Sequence, residues 1–317
     1  MRGGIDLGGT KIQAVVVDDD SKVLGEHREP TPTEGGPADV SEAMAGALRD
    51  AAHAAGVETS ELTGVGVGSP GAVDEDDGTV SSARNLPGWE GTFALGKDLG
   101  GRIGTTVKLG NDVQVATDAE FQLGAAREFD SVLGVVGGTG VGGGLVLDGK
   151  PWLGRGSAGE IGHVVVRGDG ARCPCGRRGC MEAYAGRAAM EARARRLHHD
   201  GEHTVLFDNM EKRGRDRLTS GVWARALRAE DAMAVKLMAR AVAALGAGVA
   251  SAQNLLDVEA VIIGGGLGIR LGDPYVARIA AAMQPHLFLD GKPPIVRLAA
   301  LGDLGGAVGA ALLVANG

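Results

Sequence analysis

The sequence contains no run of about eighteen apolar residues, which is the length that a membrane-spanning helix requires. The first strand pattern begins within residues 1–5, so we expect no secretory signal. Basic residues are outnumbered: 32 lysines and arginines against 40 aspartates and glutamates give a formal charge of −8 and a pI near 5.4. Such a protein has no electrostatic attraction to nucleic acid or to an anionic membrane. We therefore expect a cytoplasmic protein without nucleic-acid or membrane partners.

Cysteine is scarce, with three residues in a chain of 317, and all three lie between positions 173 and 180. His163 precedes the first of them by ten positions. A disulfide would leave one thiol unpaired, and buried structural cysteines rarely cluster among arginines and glycines. Three thiols and one imidazole instead supply the four ligands of a closed tetrahedral zinc site. We predict a structural Zn²⁺ ion bound by His163, Cys173, Cys175 and Cys180.

Glycine is abundant, with 55 residues that lack the regular spacing of collagen. Such glycines allow tight turns and a close approach of the backbone to another chain segment or to a ligand. We also expect two domains or lobes, because a single hydrophobic core rarely extends over 317 residues.

The first glycine turn follows an apolar segment near the N-terminus. Residues 3–18 predict a strand, a turn and a second strand, with Asp6 at the end of the first strand. A glycine pair followed by threonine lets backbone amides face an anion, and an acid at this place can reach a hydrated Mg²⁺ ion on phosphates. An ordinary hairpin turn has the same pattern. The candidate phosphate-binding residues are Gly8, Gly9, Thr10 and Lys11.

The same pattern recurs later in the chain. Residues 132–149 predict a strand, a glycine–threonine turn and a strand, which indicates a duplicated lobe with a nucleotide between the copies. The candidate phosphate-binding residues of this second turn are Gly138, Thr139 and Gly140. A third glycine group follows a buried strand predicted at 258–263, where an adenine ring against the backbone and a plain strand-to-helix turn are both possible. The candidates there are Gly265 and Gly266.

Asn111 and Asp112 lie between a strand predicted at 105–109 and a helix predicted at 113–126. An aspartate at the start of a helix can simply cap that helix. A carboxylate at this place can also act as a general base in phosphoryl transfer. Residues alone favour the cap.

Several other elements follow from apolar periodicity. A strand is predicted at 64–68, and helices are predicted at 38–55, 186–199, 230–256 and 304–315. Asp303 is predicted to cap the last helix. The charged segment 208–217 is predicted to be solvent-exposed and has no assigned function.

The spacing of residues 160–182 is highly specific. It reads E-x2-H and then H-x9-C-x-C-G-x2-G-C-x-E, and it closely resembles the motif of the ROK family of sugar kinases and repressors. The resemblance covers nearly the whole chain in order, through the two glycine turns and the final glycines. It also includes S-P-G at 69–71, N-L-P-G-W at 85–89 and N-D at 111–112.

The resemblance implies an α/β fold of the two-lobed actin-like ATPase (ribonuclease H-like) type. Duplicated β-sheet lobes would enclose a cleft for nucleotide and sugar. The small lobe would comprise residues 1–111 and 303–317, and the large lobe, with the zinc loop, residues 112–302.

The resemblance further implies that Asp112 is the catalytic base and that Asp6 serves Mg²⁺. His163 would bind zinc through one ring nitrogen and sugar through the other. The implied sugar-binding residues are Gly71, Asn85, Asn111, Asp112, Glu160, His163 and Glu182. The chain departs from the usual E-N-D-A-N of the family at Gly110, Val113 and Gln114, which bears on sugar preference and leaves the base in place.

The function that the resemblance implies is an ATP- and Mg²⁺-dependent hexose kinase, best matched by a glucokinase that forms glucose 6-phosphate and assembles as a dimer or tetramer. Fructose, mannose, N-acetylmannosamine or kanosamine remain alternative acceptors, and polyphosphate an alternative donor, because discrimination among such sugars depends on buried donors that a sequence does not show. A family repressor would need a DNA-reading helix-turn-helix, and only five residues precede Asp6. A zinc-ribbon module would need two C-x2-C-like halves.

Overall fold

The computed structural model describes residues 1–289 and 291–315, in which thirteen strands form two five-stranded sheets and one small three-stranded sheet. The strands are β1 (Arg2–Leu7), β2 (Ile12–Val17), β3 (Val23–Glu29), β4 (Val65–Ser69), β5 (Ala72–Asp74), β6 (Thr79–Ser81), β7 (Thr92–Phe93), β8 (Val107–Asn111), β9 (Val132–Gly137), β10 (Val141–Leu147), β11 (Lys150–Pro151), β12 (Ala260–Gly264) and β13 (Ile295–Leu298).

Helices cover the sheets. They are α1 (Pro37–Ala55), α2 (Leu95–Ile103), α3 (Asp112–Gln122), α4 (Glu182–Ala185), α5 (Arg187–His199), α6 (Val205–Glu211), α7 (Ser220–Arg228), α8 (Ala232–Leu256), α9 (Gly265–Leu271), α10 (Asp273–Met283) and α11 (Gly305–Leu312). Short 3₁₀ turns lie at Thr59–Glu61, Ile161–His163, Gln284–His286 and Gly302–Leu304.

The two large sheets repeat one topology. The first has the strand order β3-β2-β1-β4-β8, and the second has the order β11-β10-β9-β12-β13. In each, three antiparallel strands are followed by two parallel ones, because β1 pairs antiparallel with β2 and parallel with β4, as β9 does with β10 and β12. The predicted duplication and the predicted two-sheet α/β fold are confirmed.

Helix α1 shows how the local sequence defines an element. Gly36 precedes the helix and donates its backbone N–H to Asp39 Oδ2 at 2.8 Å, and Pro37 occupies the first turn. At the other end Gly56 adopts a φ of 77°, the left-handed conformation that ends many helices. The buried side includes Met44 and Leu48, so the helix packs against the first sheet.

Each sheet has its own hydrophobic core. The first core joins α1 and α2 to the first sheet and includes Trp89, whose indole N–H donates to the carbonyl of Val80 at 3.2 Å. The second core is larger, surrounds the fully buried Trp223 and includes α8. By length and composition α8 could cross a membrane, but most of its apolar segment is buried inside the protein, as expected of a core helix.

Two helices, α3 and α11, connect the halves. The chain leaves the first sheet at the end of β8, and α3 packs on β9 and β10 of the second sheet. Near the C-terminus α11 packs back on β1, β2 and β4 of the first sheet. The two helices also pack on each other, so closely that a Cβ on Gly309 would overlap the carbonyl oxygen of Val115.

Glycines in the sheets make this packing possible. A Cβ on Gly66 of β4 would overlap the carbonyl oxygen of Ala310 in α11, and one on Gly4 of β1 would overlap that of Ala307. In the second sheet, a Cβ on Gly144 would overlap the side chain of Thr117 in α3. Helix backbone therefore lies directly on sheet backbone in the first half, an arrangement that only glycine allows.

We expect Gly66→Ala to lower the free energy of unfolding by about 3 kcal/mol or more, because the overlapping atom belongs to the backbone of α11 and cannot rotate away. Gly101→Ala in α2 is the matched control, since a Cβ there meets no atom within 4 Å. It should leave stability unchanged or raise it by about 0.5–1 kcal/mol. Urea denaturation measures both, and equal stability of the two variants would contradict the expectation.

Some predicted boundaries differ from the structure. The helix predicted at 113–126 ends at Gln122, and the strand predicted at 105–109 runs from Val107 to Asn111. The predicted cap at Asp303 is wrong: Leu304 stands at the cap position of α11, because a 3₁₀ turn leads directly into that helix. The Asp303 carboxylate instead lies 3.7 Å from the guanidinium of Arg28.

Segment 208–217 agrees with its prediction in part. Its first residues lie in α6, where Met210 is buried, and residues 211–217 are exposed.

Candidate functional site

The first glycine turn joins β1 to β2 and is held from three sides. The backbone N–H of Gly8 donates to the carbonyl of Lys11 at 2.9 Å, which closes the turn. The Thr31 hydroxyl donates to the Gly8 carbonyl at 2.6 Å. A Cβ on Gly9 would lie 2.9 Å from Nδ2 of Asn85, so this turn directly adjoins one predicted sugar-binding residue. Lys11 Nζ donates to the carbonyl of Asp303 at 3.5 Å, which ties the turn to the segment before α11.

Asp6, next to the end of β1, is a half-buried residue whose carboxylate interacts with the charges of Lys11 and Asp303. Burial raises its pKa, the positive charge of Lys11 opposes that rise, and the negative charge of Asp303 adds to it. The side chain also packs against Gly306 of α11, where a Cβ would lie 2.8 Å from the Asp6 carboxyl carbon. A carboxylate in such surroundings gains stability from a cation, so its chemistry fits a ligand of hydrated Mg²⁺.

Asn111, rather than Asp112, caps α3. The Asn111 Oδ1 atom accepts the backbone N–H groups of Val113 at 3.0 Å and Gln114 at 3.1 Å. The capping function is thereby filled, and the Asp112 carboxylate accepts the adjacent N–H of Val113, at 3.0 Å. Because Asn111 Oδ1 is used in this way, only its amide nitrogen is left for a sugar.

The carboxyl of Asp112 has the pKa of a useful base. Burial raises that pKa to about 7, the negative charges of Asp6 and Glu160 add to the rise, and the hydrogen bond from Val113 opposes it. Asp6 comes from the first sheet, and Glu160 comes from the segment after β11, so carboxylates from both halves of the chain meet at Asp112. A group with a pKa near 7 is well suited to accept a proton at physiological pH.

Gln114 attaches the start of α3 to the second sheet. Its Oε1 accepts the N–H of Leu145 at 2.9 Å, and its Nε2 donates to the carbonyl of Leu145 at 3.0 Å. The same Nε2 donates to Asp118 Oδ1 at 2.7 Å. The departure from the family pattern at Gln114 thus has a structural role: it connects the helix that carries Asp112 to β10.

The second glycine turn joins β9 to β10. The N–H of Gly138 donates to the carbonyl of Gly140 at 2.9 Å, and the carbonyl of Thr139 accepts the N–H of Ala188 at 3.0 Å. A Cβ on Gly138 would meet no atom within 4 Å, so the open side of the turn has room for a ligand. The carboxylate of Glu182 borders the turn, where its Oε2 accepts the N–H of Val141 at 3.0 Å.

The third glycine group lies against the second turn. Gly265 has a φ of 82°, and a Cβ there would overlap the carbonyl oxygen of Gly137. A Cβ on Gly266 would lie 3.2 Å from the hydroxyl of Ser220 and 4.0 Å from the guanidinium of Arg187. The structure therefore brings two of the three predicted nucleotide-binding groups into direct contact.

The predicted zinc ligands converge. The Nδ1 atom of His163 and the three sulfur atoms all lie within 4.8 Å of one another. Cys175 Sγ is 3.7 Å from Cys180 Sγ, and Cys173 Sγ is 3.8 Å from His163 Nδ1. These are separations that ligands about 2.3 Å from one ion have in a tetrahedral site, so the four residues fit Zn²⁺. Burial raises the pKa of Cys173 to about 12, whereas a hydrogen bond from the backbone N–H of Arg177 lowers the pKa of Cys175 to about 6.

The zinc cluster is linked to the predicted sugar-binding acids. His163 presents Nδ1 to the cysteines, and its Nε2 lies 3.9 Å from Glu160 Oε2. Glu182 lies with Oε1 3.7 Å from Cys173 Sγ, while its other oxygen binds the second turn. Gly71 has a φ of 93° and packs on the backbone of Ser81.

Arg187 is a site residue that sequence reasoning did not identify. It lies beside Thr139, with Nη2 3.4 Å from the threonine hydroxyl, although 48 positions separate the two residues. No local pattern marks such a tertiary contact, and an arginine at the start of a helix is common in exposed positions.

Two repeated sheets, two glycine turns and a half-buried acid at the start of the helix between the sheets define a two-lobed protein of the actin-like ATPase fold. The chain belongs to the ROK family, whose family model it matches over residues 2–316.

Three known proteins illustrate the similarity. The chain is 35% identical to a glucokinase of Thermotoga maritima, over 83% of this chain and 81% of the relative. It is 33% identical to the N-acetylgalactosamine kinase AgaK of Shewanella sp., over 98% and 95%. A ROK family glucokinase of Streptomyces griseus, solved in complex with glucose and AMPPNP, superposes with a TM-score of 0.85 at 31% identity and covers 100% of this chain and 99% of its own.

Proposed function

We propose that the protein is a hexose kinase, a glucokinase that uses ATP to convert D-glucose to glucose 6-phosphate. The observation that carries this proposal is Asp112, a half-buried residue whose carboxyl has a pKa of about 7 and is freed from capping by Asn111. The glucokinase relatives and the glucose- and AMPPNP-bound neighbour support the choice of sugar and donor.

In the proposed reaction, Asp112 accepts the proton of the glucose 6-hydroxyl as the oxygen of that hydroxyl attacks the terminal phosphorus of ATP. The new P–O bond forms on glucose, the bond to the bridging oxygen breaks, and ADP leaves with that electron pair. The amides of the two turns would bind the phosphates. Mg²⁺, when bound, supplies charge neutralisation at those phosphates, and Asp6 would hold it.

Sugar binding is proposed for the residues around Asp112. Asn85 adjoins the first turn, and Glu160 and Glu182 adjoin the zinc cluster. We propose that His163, Cys173, Cys175 and Cys180 hold a structural Zn²⁺ that fixes the position of both glutamates. In this scheme the ion does not contact the sugar. It affects activity because it fixes the loop, residues 160–182, that carries both glutamates.

We also propose the lobe division at 1–111 with 303–317 and 112–302, supported by the two crossing helices α3 and α11. A cytoplasmic location and a homo-oligomeric assembly remain predictions. The free thiols of the cluster support the first, because a reducing compartment keeps them available for metal.

A sugar panel tests the proposal. Wild-type protein with ATP should give a kcat/KM for glucose at least tenfold above that for mannose, fructose, N-acetylglucosamine and N-acetylgalactosamine in a coupled ADP assay. The relative that is an N-acetylgalactosamine kinase makes acetylated sugars the second candidate. A preference for one of them would replace glucose as the substrate, and absence of phosphoryl transfer to every sugar would overturn the proposal. Replacement of ATP by polyphosphate in the same assay tests the donor.

We expect Gly138→Val to raise the KM for ATP about tenfold or more and to leave the KM for glucose within about twofold. The side chain would enter space that contains no protein atom within 4 Å, so it should obstruct phosphates without disturbing the fold. Gly101→Val, on an open side of α2, is the size-matched control. Equal increases in both KM values would indicate that the second turn only builds the fold.

The pKa of Asp112 predicts a pH dependence. Because the base must be ionised, kcat/KM for glucose should fall about tenfold per pH unit below pH about 7 and level off above it. The measurement is a kcat/KM profile between pH about 5.5 and 8.5, with protein stability checked at each pH. A profile that stays flat down to the lowest pH would contradict the assignment of Asp112.

A further inference from the structure

Arg187 occupies a position between the second and third glycine groups. It is the first residue of α5, and its backbone N–H donates to the carbonyl of Gly138 at 3.4 Å. Its Nη2 lies 3.4 Å from the Thr139 hydroxyl, and its Nη1 lies 4.0 Å from the place a Cβ on Gly266 would occupy. The guanidinium therefore adjoins both the second glycine turn and the third glycine group.

Within the described part of the chain, the Arg187 guanidinium has no carboxylate partner. Among residues 1–289 and 291–315, no carboxylate oxygen lies within 4.0 Å of its guanidinium. The nearby Glu191 is already used: it forms an ion pair with Arg195 at 2.6 Å and accepts the N–H of Leu218 at 2.9 Å. A half-buried cation without a counter-ion is costly, so the position suits a ligand that brings negative charge.

The charges around Arg187 support the binding of a negatively charged ligand. Burial lowers the pKa of Arg187, the negative charge of Glu191 opposes this, and the positive charge of Arg217 adds to it. The guanidinium remains charged at any physiological pH, because its reference pKa is above about 12. Arg187 beside the glycine–threonine turn, with the charge of Arg217 acting on it, suits an anion with several oxygens, because phosphate geometry matches the fork of a guanidinium.

The position of Arg187 also indicates which phosphates it meets. Asp112 begins α3 at the end of β8, whereas the Arg187 guanidinium lies 3.4 Å from the Thr139 hydroxyl and 4.0 Å from the place a Cβ on Gly266 would occupy, so the two groups lie at different places in the cleft. The transferred phosphoryl group must lie beside the base. A group on the Thr139 side of the turn therefore faces the part of the donor that stays behind.

We propose that Arg187 binds the phosphates that remain in ADP, and that it sets nucleotide affinity without taking part in phosphoryl transfer. This inference rests on the proposed kinase function. It goes further by assigning a binding role to a residue outside the glycine turns. It also predicts that substrate ATP and product ADP lose affinity together when the charge is removed, since both keep those phosphates.

The experiment compares wild type, Arg187→Gln, Arg187→Lys and the control Arg196→Gln, an exposed arginine of the same helix. Titration calorimetry measures ADP affinity, and steady-state kinetics measure kcat and both KM values. Arg187→Gln should weaken ADP binding and raise the KM for ATP by about 10- to 100-fold, as expected for a lost charge-assisted hydrogen bond. The kcat and the KM for glucose should change less than about threefold. Arg187→Lys should fall between, and Arg196→Gln should match wild type.

The outcomes separate this inference from the proposed function. ADP affinity of Arg187→Gln within twofold of wild type, or a loss of kcat at unchanged ADP affinity, overturns the role of Arg187 even if glucose phosphorylation is normal. A wild type that binds ADP but phosphorylates no sugar overturns the proposed function, and the ADP titration still decides the role of Arg187. Thermal unfolding of each variant shows whether a lost affinity reflects a lost fold.

Discussion

Replacing Asp112 by asparagine is expected to lower kcat by about 10²- to 10⁴-fold while glucose still binds. Asparagine keeps the size and shape of the side chain and removes the proton acceptor. The fold should not suffer, because Asn111 caps α3 independently of Asp112. Steady-state kinetics with saturating ATP give kcat, and calorimetric titration with glucose gives the binding constant. A variant that retained a third of the wild-type kcat would remove Asp112 from the mechanism.

Asp118→Asn is a matched control on the same helix. Asp118 is also a carboxyl whose pKa burial raises to about 7, with a hydrogen bond from Gln114 opposing and the charge of Glu75 adding. Its charged neighbour is Glu75 rather than Asp6 and Glu160, so its replacement should leave kcat within about threefold. If both variants lost activity equally, the loss would reflect damage to α3 rather than loss of a base.

The stability of Asp112→Asn provides a second check. The pKa of Asp112 is higher in the folded protein than its ordinary value of 3.8. Between pH about 4 and 7 the Asp112 carboxyl is therefore mostly ionised in the unfolded chain and mostly protonated in the folded protein. The free energy of unfolding falls as pH rises through that window. Above pH about 7 the full cost of the buried charge remains. Asp112→Asn lacks this cost, so at pH 8 it should unfold at a higher temperature than wild type.

Cys175→Ser is expected to lose the metal and to lower activity by about 10²-fold, although no cysteine touches the sugar in the proposed site. Without the ion, His163 loses its fixed position between Cys173 and Glu160, and a positional error of about 1 Å can cost that much in rate. The KM for glucose should therefore rise more than the KM for ATP. Metal analysis should find about one zinc per chain in wild type and none in the variant.

Arg178→Gln serves as the control for this loop. Its guanidinium is exposed and donates to the carbonyl of Gly170 at 3.2 Å, so the change alters the loop surface without touching a ligand. Zinc content and glucose KM should remain those of wild type. Zinc-free wild-type protein, or a Cys175→Ser enzyme with normal glucose KM, would show that the four residues do not form the proposed centre.

Much of the fold could be predicted because its patterns are local. Both hairpins are apolar segments that break at glycine, and their repetition predicts the duplication that the two sheet orders confirm. The cluster of His163 with three cysteines is equally visible, because these ligand types are rare in the chain and their spacing is short.

Contacts between distant segments could not be predicted. Glu120 of α3 accepts the N–H groups of Ala300 at 2.9 Å and Leu301 at 2.8 Å, across 180 positions of sequence. The side chain holds the segment that leads into α11, and no sequence pattern predicts this contact. The prediction that Asp303 caps α11 failed because a 3₁₀ turn leads directly into that helix, and the exposed Asp303 carboxylate lies 3.7 Å from the guanidinium of Arg28.

The sequence alone also leaves two interpretations of Asp112 open, a helix cap and a general base. The pair Asn111 and Asp112 contains two possible caps, and either side chain could have bound the first turn of α3. The structure gives that function to Asn111. Only burial next to Asp6 and Glu160 then distinguishes Asp112 as a base, and burial depends on both halves of the chain.

The crossing of α3 and α11 has a mechanical consequence. The chain passes between the halves at this place twice, and the helix backbones touch at Gly309 and Val115. A rotation of one half against the other would have its axis near such a crossing, because backbone contacts there leave little freedom to slide. Asp112, at the first turn of α3, would then sit close to the pivot and move little. We expect closure to carry nucleotide and sugar toward a nearly stationary base, with the largest displacements at the far rims of the cleft.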